Sequence, residues 1–378
     1  MPRLLHLADL HLGWIPRDLP PAVAEARRAA RDARLEEAVE LALERRLHAV
    51  LIVGDLFDDF DPASDLVRSV REALERLTSA GIAVVTVPGN HDELTYANSV
   101  YRREASRWPG VLVREPMPAH LASLSLAGEP FQVHGLAYVG GVTDVAEAMN
   151  RLPPRDRDGR HLFLAHGTLT NTTAEGADER SMPLPPGVLA DAGYDYLALG
   201  HLHTPSERRL GGSLAVYPGC VGGKGFDDPG SDAWSIVTFT QAGPRIERVA
   251  MAGQSLVDGQ LDVSDLEHEG DVAEAISARL AGHAGDLVRI RLTGALPTEL
   301  DTDELTASCR GEALFLRVED HTTAVTPSLL DAWGASPTVR GEFVRRLREK
   351  LDASQDPGER RRLVRALRMG LDALGGRR

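Results

Sequence analysis

The sequence has little cysteine, no long apolar run and no recognisable targeting segment. Two cysteines among 378 residues, Cys220 and Cys309, cannot by themselves form a disulfide framework or a metal cluster. No apolar stretch is long enough to cross a bilayer, and the short start Met1 to Arg3 leads directly into an apolar run rather than a signal peptide. We therefore expect a soluble, cytoplasmic protein with no membrane partner.

Positive charge is scarce as well. The chain has 42 Lys and Arg against 56 Asp and Glu, a formal net charge of -14. This balance excludes a uniformly basic nucleic-acid-binding surface but leaves room for a local one. Residues 338–378 differ from the rest, with twelve Arg or Lys against six Asp or Glu.

Short apolar runs alternate with amphipathic helical patterns in the first half of the chain. The helical patterns cover residues 21–46 and 64–80. This alternation predicts an α/β layered fold. Runs at 214–217, 234–239 and 245–249 predict a second sheet rich in hairpins. The earlier strands are predicted at residues 4–8, 49–53, 82–87, 161–165 and 194–199.

The pattern changes after Gly253. A helix at 272–280 and strands at 287–292 and 313–318 predict a small α/β domain. A stretch rich in Pro, Thr and Ser, 322–337, is typical of a linker, and two amphipathic helices follow it. Those helices either pack on each other or present an apolar stripe to a partner. The predicted domains are 1–254, 255–325 and 326–378, the last comprising the linker and the helical hairpin.

Five predicted strands end in side chains that bind metals. The segments are LADLH, IVGD, VPGNHD, FLAHG and LGHLH. Since the carboxyl ends of strands in α/β sheets form the ligand crevice, we expect these side chains to converge although they span almost 200 positions. They are Asp9, His11, Asp55, Asn90, His91, His166, His201 and His203.

The chemistry of this set indicates the kind of ion. Histidine nitrogen, carboxylate and amide oxygen together suit a divalent ion such as Mn, Fe or Zn. The set is too large for one such ion and suitable for two. Two ions about 3.5–4 Å apart can clamp the attacking and leaving oxygens of an in-line displacement, so the set predicts metal-dependent phosphoester hydrolysis.

The series D-x-H, G-D-x-x-D, G-N-H-D, A-H-G and G-H-x-H resembles the calcineurin-like metallophosphoesterase superfamily over roughly the first 230 residues. The resemblance implies a layered β-sandwich flanked by helices, which would be the nuclease domain, with a small α/β capping domain and a C-terminal helical hairpin. It also implies two ligand groups. They are Asp9, His11, Asp55 and His203 around one ion, and Asp55, Asn90, His166 and His201 around the other.

Two catalytic roles follow from the same resemblance. His91 would contact the phosphate and help the leaving oxygen depart. Asp58, the last residue of GDLFD, would orient His91. Alternatively, Asp58 caps the following helix or faces solvent.

The segments LLHLADLHLG and VYPGCVGGKGFDDPG resemble the DNA-repair exonuclease branch, the SbcD/YhaO-like nuclease subunits. That branch hydrolyses DNA phosphodiesters, typically with two Mn²⁺ ions. The resemblance further implies a homodimer whose C-terminal helices bind an SbcC-like ABC-type ATPase. In two places the chain departs from the branch. Asp58 stands where many archaeal and eukaryotic members have histidine, and Cys220 stands where serine is common.

Three functions are compatible with these observations. The leading one is a DNA nuclease, an exonuclease on double-stranded ends, that works in DNA repair with the ATPase. The second keeps the chemistry but changes the substrate, as a phosphatase or small-nucleotide phosphodiesterase. The third is a DNA-end-binding assembly subunit, and the complete ligand set argues against it because a scaffold does not need every metal position.

Overall fold

The computed structural model describes residues 1–140, 148–170, 181–266, 268–296, 300–325 and 327–375. The chain forms two compact units, Met1–Gly253 and Gln254–Arg378. No helix among the described residues is long and apolar enough to cross a membrane.

The first unit contains two six-stranded sheets. In the first sheet, four strands run parallel and two antiparallel strands extend one edge. The central strand β2 has the sequence AVLIV and is buried on both faces, as expected for a parallel strand with two covered faces. In spatial order the strands are β14 (Gly243–Ala250), β13 (Ala233–Thr240), β1 (Arg3–Leu7), β2 (Ala49–Val53), β3 (Ala83–Val87) and β4 (Val111–Leu112).

The second sheet is mixed. Its central strands are parallel, and an antiparallel strand closes each edge. Two short strands, β8 (Thr168–Leu169) and β9 (Pro183–Leu184), pair separately. In spatial order the strands are β11 (Ser206–Leu210), β12 (Ser213–Tyr217), β10 (Tyr196–Gly200), β7 (Arg160–His166), β6 (Glu129–Gly135) and β5 (Ala119–Leu126).

The two sheets face each other and helices cover them. One apolar cluster joins residues of both sheets, among them Leu51, Val85 and Leu164. Leu35 and Leu74 bring two of the helices into the same cluster. The helices of this unit are α1 (Pro21–Asp32), α2 (Arg34–Glu44), α3 (Ser64–Ser79), α4 (Val100–Glu104) and α5 (Pro186–Ala192). The predicted α/β layered sandwich is confirmed.

The arrangement differs from the sequence prediction in two respects. The single helix predicted at 21–46 is two helices, α1 and α2, that meet at Ala33. The strands predicted at 234–239 and 245–249 are β13 and β14, but they extend the first sheet, where β13 pairs antiparallel with β1. A hydrophobic pattern identifies a strand without telling which neighbour it pairs with, so this pairing was not predictable from the pattern.

The second unit begins with a small three-stranded parallel sheet. Its strands lie in the order β15 (Leu256–Asp262), β16 (Leu287–Thr293) and β18 (Phe315–Asp320), with α6 (Glu269–Leu280) and α7 (Thr302–Cys309). An apolar cluster that includes Val272, Ile290 and Leu305 joins the helices to the sheet. The short strands β17 (Ala295–Leu296) and β19 (Thr323–Ala324) pair with each other.

Three helices end the second unit: α8 (Pro327–Gly334), α9 (Val339–Ala353) and α10 (Pro357–Gly375). The interpretation of 322–337 as a linker is corrected, because α8 lies there and its Leu330 and Trp333 pack into an apolar cluster. Val344, Leu367 and Leu371 are buried in the same cluster, so much of the apolar stripe of the terminal helices is satisfied within the unit. Val339, Met369 and Leu374 remain exposed.

Candidate metal centre

The predicted ligands come from the strand ends of both sheets. Strands β1, β2 and β3 are parallel neighbours in the first sheet, and β7 and β10 are parallel neighbours in the second. Their carboxyl ends therefore lie side by side, and the structure brings the predicted side chains of the two sheets within contact of one another. Most of these side chains are buried.

The backbone is strained where these side chains leave the strands. Asp9, His11, Asp55 and His201 have φ angles of 57°, 46°, 50° and 102°. Residues other than glycine rarely adopt positive φ, and each such residue costs roughly 1–3 kcal/mol. Strain of this kind persists where the surroundings hold it in place, and it clusters at functional sites.

Glycines allow the close packing around these ligands. A Cβ atom on Gly54 would collide with the His166 ring, and the φ of Gly54 is +86°. A Cβ atom on Gly89 would collide with the Asp55 carboxylate. The glycines of the segments IVGD and VPGN are thus required by the approach of two predicted ligands.

His11 and His203 form the first half of the site. Nδ1 of His203 is hydrogen-bonded to the Asp228 carboxylate, and Nδ1 of His11 lies 3.0 Å from Oδ1 of Asp58. Carboxylate neighbours favour the proton on Nδ1 of each ring, which leaves Nε2 with a lone pair. The two Nε2 atoms are 3.1 Å apart. Two facing lone pairs at this distance call for a cation close to both.

His166 forms the second half. Its Nδ1 donates a hydrogen bond to the carbonyl of Val53 at 3.0 Å. Its Nε2 then faces Oδ1 of Asn90 at 3.0 Å and Oδ2 of Asp55 at 3.4 Å. Burial lowers the pKa of His166, but the Asp55 carboxylate overrides it and raises the pKa to about 9. This pocket therefore favours positive charge strongly.

Asp9 and Asn90 complete the ligand set. Both oxygens of the Asp9 carboxylate accept from the backbone N–H of His201, at 3.0 and 3.1 Å. Burial raises the pKa of Asp9 to about 6, with His166 acting in the opposite direction. Oδ1 of Asn90 also lies 3.0 Å from Nδ1 of His201, so it contacts the rings of two predicted ligands.

The described residues fit divalent ions. Ligand atoms of Asp9, His11 and His203 all lie within 4.8 Å of one another, and so do those of Asp9, Asp55 and His166. These two groups fall on the two predicted ligand sets, except that Asp9 appears in both. Imidazole and carboxylate donors without thiolate suit Mn, Fe or Zn.

His91 lies at the rim of the site, with 31% of its side chain exposed. Its ring packs edge-on against the His11 ring, with 4.7 Å between the centroids. Its Nδ1 donates to the main-chain carbonyl of Asp58 at 3.0 Å, whereas the Asp58 carboxylate is 3.6 Å away. We expected the carboxylate to orient His91. In the structure that carboxylate lies closer to His11 and to Lys224, at 3.0 and 2.9 Å.

Sequence reasoning assigned no role to Asp92, the fourth residue of GNHD. Its buried carboxylate accepts from the backbone N–H of Gly89 at 2.7 Å, from that of Phe57 at 3.2 Å and from the Tyr101 hydroxyl at 2.8 Å. It thereby ties the loop after β2 to the loop after β3. The position of Asp92 in the motif GNHD, directly after two predicted site residues, could have indicated such a role.

The segment VYPGCVGGKGFDDPG contains two further residues that contact predicted site residues and that sequence reasoning missed. Asp228 holds His203, and the Lys224 ammonium lies 2.9 Å from the Asp58 carboxylate. Two buried arginines of α1 hold this loop: Arg27 donates to Gly223 O at 2.8 Å, and Arg31 donates to Leu10 O at 3.0 Å and to Gly223 O. The arginines on the buried face of α1 were the feature of the sequence that could have indicated a held loop.

Residues 2–205 match the family model "Calcineurin-like phosphoesterase". Similar proteins include "DNA double-strand break repair protein Mre11" of Aeropyrum pernix, 31% identical over 70% of this chain and 64% of that protein. "Uncharacterized metallophosphoesterase YhaO" of Bacillus subtilis is 26% identical over 62% of this chain and 57% of that protein. A component of the nuclease SbcCD of Bacillus subtilis is 25% identical over 69% of this chain and 75% of that protein. The chain thus spans less than two thirds of the length of the first two relatives.

Proposed function

Because the chain belongs to the calcineurin-like phosphoesterase family, we propose that it is a dinuclear-metal-dependent DNA nuclease that acts as an exonuclease on double-stranded ends in DNA repair. Members of this family use a dinuclear metal centre. The proposal rests on two clusters of side chains whose ligand atoms face one another closely. One consists of His11 and His203, and the other of His166, Asn90 and Asp55.

The proposed ligands are those of the two predicted groups, and Asp55 belongs to both groups. Two divalent ions bound there would supply Lewis-acid stabilisation of the charge on the phosphate and on the attacking and leaving oxygens. The donors suit Mn, Fe or Zn, and Mn²⁺ is proposed among these because the DNA-repair exonuclease branch that the sequence resembles typically uses manganese.

His91 is proposed to act on the leaving oxygen. Its Nδ1 is engaged by the Asp58 carbonyl, which fixes the ring and directs Nε2 away from that bond. A protonated Nε2 can donate to the phosphate and then to the departing oxygen as a general acid. Asp58 is proposed as the residue that holds the ring through its main chain.

DNA is the proposed substrate because one similar protein is named for DNA double-strand break repair and another belongs to the nuclease SbcCD. We expect recognition of the backbone and the end rather than of base sequence, because phosphate contacts carry no sequence information. The net charge of -14 means that DNA attraction must be local.

Two partners are part of the proposal. An SbcC-like ATPase would dock on the C-terminal helices α9 and α10, where Val339, Met369 and Leu374 are large apolar residues with exposed side chains. A second copy of the chain would form a homodimer. We also propose a cytoplasmic location, which is compatible with the ATPase and with the homodimer.

The test is degradation of a linear duplex labelled at its 5′ or 3′ end, with Mn²⁺, by the purified chain and by Asp55→Ala. A ladder from one end that is lost in Asp55→Ala supports the nuclease and gives its polarity. Turnover of p-nitrophenyl phosphate without any DNA product would instead support the phosphatase. The absence of both activities, with DNA ends still bound, would support the assembly subunit.

A further inference from the structure

A groove of about 1030 Å³ opens beside the proposed general acid. His91 and Lys224 line it, and Trp14, Ile15 and Leu66 supply apolar surface. Ile15 is 52% exposed, so the wall beyond His91 offers a free apolar surface as well as charge. A groove with an apolar wall and a cation has the composition of a nucleotide subsite.

Lys224 is fixed in this groove. Its ammonium lies 2.9 Å from Oδ1 of Asp58 and 5.4 Å from the centre of the Trp14 ring. Among the residues that the structure describes, Asp58 is its hydrogen-bonding partner. An ammonium group has three donors, so donors remain for a ligand in the groove that Lys224 lines.

The Asp58 carboxylate brings Lys224 close to the proposed chemistry. Its Oδ1 accepts from the Lys224 ammonium and lies 3.0 Å from Nδ1 of His11 and 3.6 Å from Nδ1 of His91. Lys224 therefore sits one carboxylate away from His91, on the groove side.

The loop that carries Lys224 is held by two buried cations. Arg27 and Arg31 are 1% and 2% exposed and bind the carbonyl of Gly223, next to Lys224. Arg31 also binds the carbonyl of Leu10, between two proposed ligands. Burying guanidinium groups against carbonyls is costly. That cost is understandable if the position of Lys224 matters, because a preorganised cation loses less entropy when it binds an anion.

Besides Lys224, Asp58 and His91, four other charged residues line the groove: Arg17, Arg28, Asp59 and Asp61. Asp61 is paired with Arg103, and Arg28 is paired with Glu25 and Asp32. Lys224 differs from these cations in that its loop is held by Arg27 and Arg31 and its carboxylate partner lies 3.6 Å from Nδ1 of His91. Since its ammonium still has donors to offer, it is placed to bind a phosphate near the proposed general acid.

We propose that Lys224 binds the phosphate that flanks the scissile one on the leaving-group side, and that the groove along Trp14 and Ile15 receives the leaving nucleotide. This proposal rests on the proposed DNA nuclease function and deepens it, because it makes substrate preference depend on a second phosphate. A substrate whose leaving group has no phosphate makes no use of the contact.

The test compares two substrates of the full chain with Mn²⁺. One is a 12-base-pair DNA duplex in which one strand is labelled and followed, and the other is bis(p-nitrophenyl) phosphate, which has a single phosphate. We expect Lys224→Met to raise KM for the duplex by about 10- to 100-fold, the range of one charge-assisted hydrogen bond. Its kcat/KM for bis(p-nitrophenyl) phosphate should stay within about threefold of the wild type, since the contact is not used.

Three controls separate binding from structure. Arg245→Met removes one exposed positive charge on β14 and should leave both substrates unchanged. Lys224→Arg should restore most of the affinity for the duplex. A duplex with a neutral methylphosphonate at the flanking linkage should be a poorer substrate for the wild type, whereas Lys224→Met should scarcely distinguish it from the normal duplex.

Equal loss on both substrates in Lys224→Met, or weaker Mn²⁺ binding measured by calorimetry, would overturn the proposal and make Lys224 a structural residue. An unchanged KM for the duplex would overturn it too. These outcomes differ from failure of the nuclease function itself, in which the wild type would hydrolyse bis(p-nitrophenyl) phosphate but not DNA.

Discussion

Nδ1 of His91 donates to the main-chain carbonyl of Asp58 at 3.0 Å, and the carboxylate of the same residue lies farther away, at 3.6 Å. The orientation of His91 therefore depends on the backbone of the loop after β2 more than on the side chain at position 58. Asp58 stands where many archaeal and eukaryotic members of the resembled branch have histidine, and it holds His91 mainly through its backbone.

Substitution of His91 and of Asp58 should therefore have unequal effects. His91→Ala removes the proposed general acid and should lower kcat by about 10²- to 10⁴-fold. Asp58→Asn keeps the carbonyl and should lower kcat by less than about tenfold. Steady-state hydrolysis of a short DNA duplex with Mn²⁺ measures both, because its alkoxide leaving group needs a proton whereas p-nitrophenolate departs without one. Equal losses in the two variants would mean that the carboxylate, not the carbonyl, positions His91.

Removal of the Asp228 carboxylate should weaken metal binding. Asp228 holds Nδ1 of His203 and so presents Nε2 to the ion. We expect Asp228→Asn to weaken Mn²⁺ binding by roughly 10- to 100-fold, the usual effect of losing such a partner. Titration calorimetry measures it, with the exposed neighbour Asp227→Asn as the matched control. If both variants bind Mn²⁺ like the wild type, the hydrogen bond has no part in presenting His203.

Asp92 should matter for stability. Asp92→Ala leaves two buried backbone N–H groups and the Tyr101 hydroxyl without their acceptor. We expect the free energy of unfolding to fall by about 3 kcal/mol or more, and by only about 1 kcal/mol in Tyr101→Phe, which removes one hydrogen bond. Urea unfolding measures both values. A loss in Asp92→Ala no larger than that in Tyr101→Phe would contradict the role of Asp92 in joining the two loops.

His6 should make stability depend on pH. It is fully buried beside Tyr196, with 2.8 Å between Nδ1 and the hydroxyl oxygen. Burial, with Arg248 adding to it, lowers the pKa of His6 from 6.5 to about 3. Between these values the unfolded chain binds the proton and the folded chain does not. The contribution of His6 is therefore present above pH 6.5 and is lost as the pH falls toward 3, by up to about 1.4 kcal/mol per pH unit.

The variant His6→Gln tests this dependence because glutamine does not titrate. The slope of the unfolding free energy between pH 6.5 and 4.5, measured in urea, should be shallower in His6→Gln than in the wild type. Identical slopes would show that His6 has no depressed pKa in the folded chain.

The convergence of the predicted ligands was readable from the sequence because each lies at or shortly after the carboxyl end of a predicted strand. Asp9 and Asn90 follow parallel strands of the first sheet and His201 follows a parallel strand of the second, and the two sets of strand ends meet. The partners of these ligands were harder to identify. Asp228 and Lys224 come from a loop whose path depends on buried arginines in α1, a long-range contact that no local periodicity encodes.

The features of the fold that the sequence did not predict have a similar cause. The strand pattern identified β13 but not its antiparallel pairing with β1, because pairing depends on tertiary contacts. The Pro, Thr and Ser content of 322–337 suggested a linker, yet Leu330 and Trp333 have an apolar cluster to pack against and α8 forms there. Tertiary burial outweighed local composition at this position.

The number of Mn²⁺ ions that the folded chain binds tests the dinuclear centre, and it is counted by titration calorimetry and by metal analysis of the dialysed protein. We expect two ions per chain in the wild type and fewer than two in His166→Ala, whereas His48→Ala, which alters a histidine outside the site, should retain two. A single ion in the wild type, or two ions retained in His166→Ala, would contradict a dinuclear centre built from these strand ends.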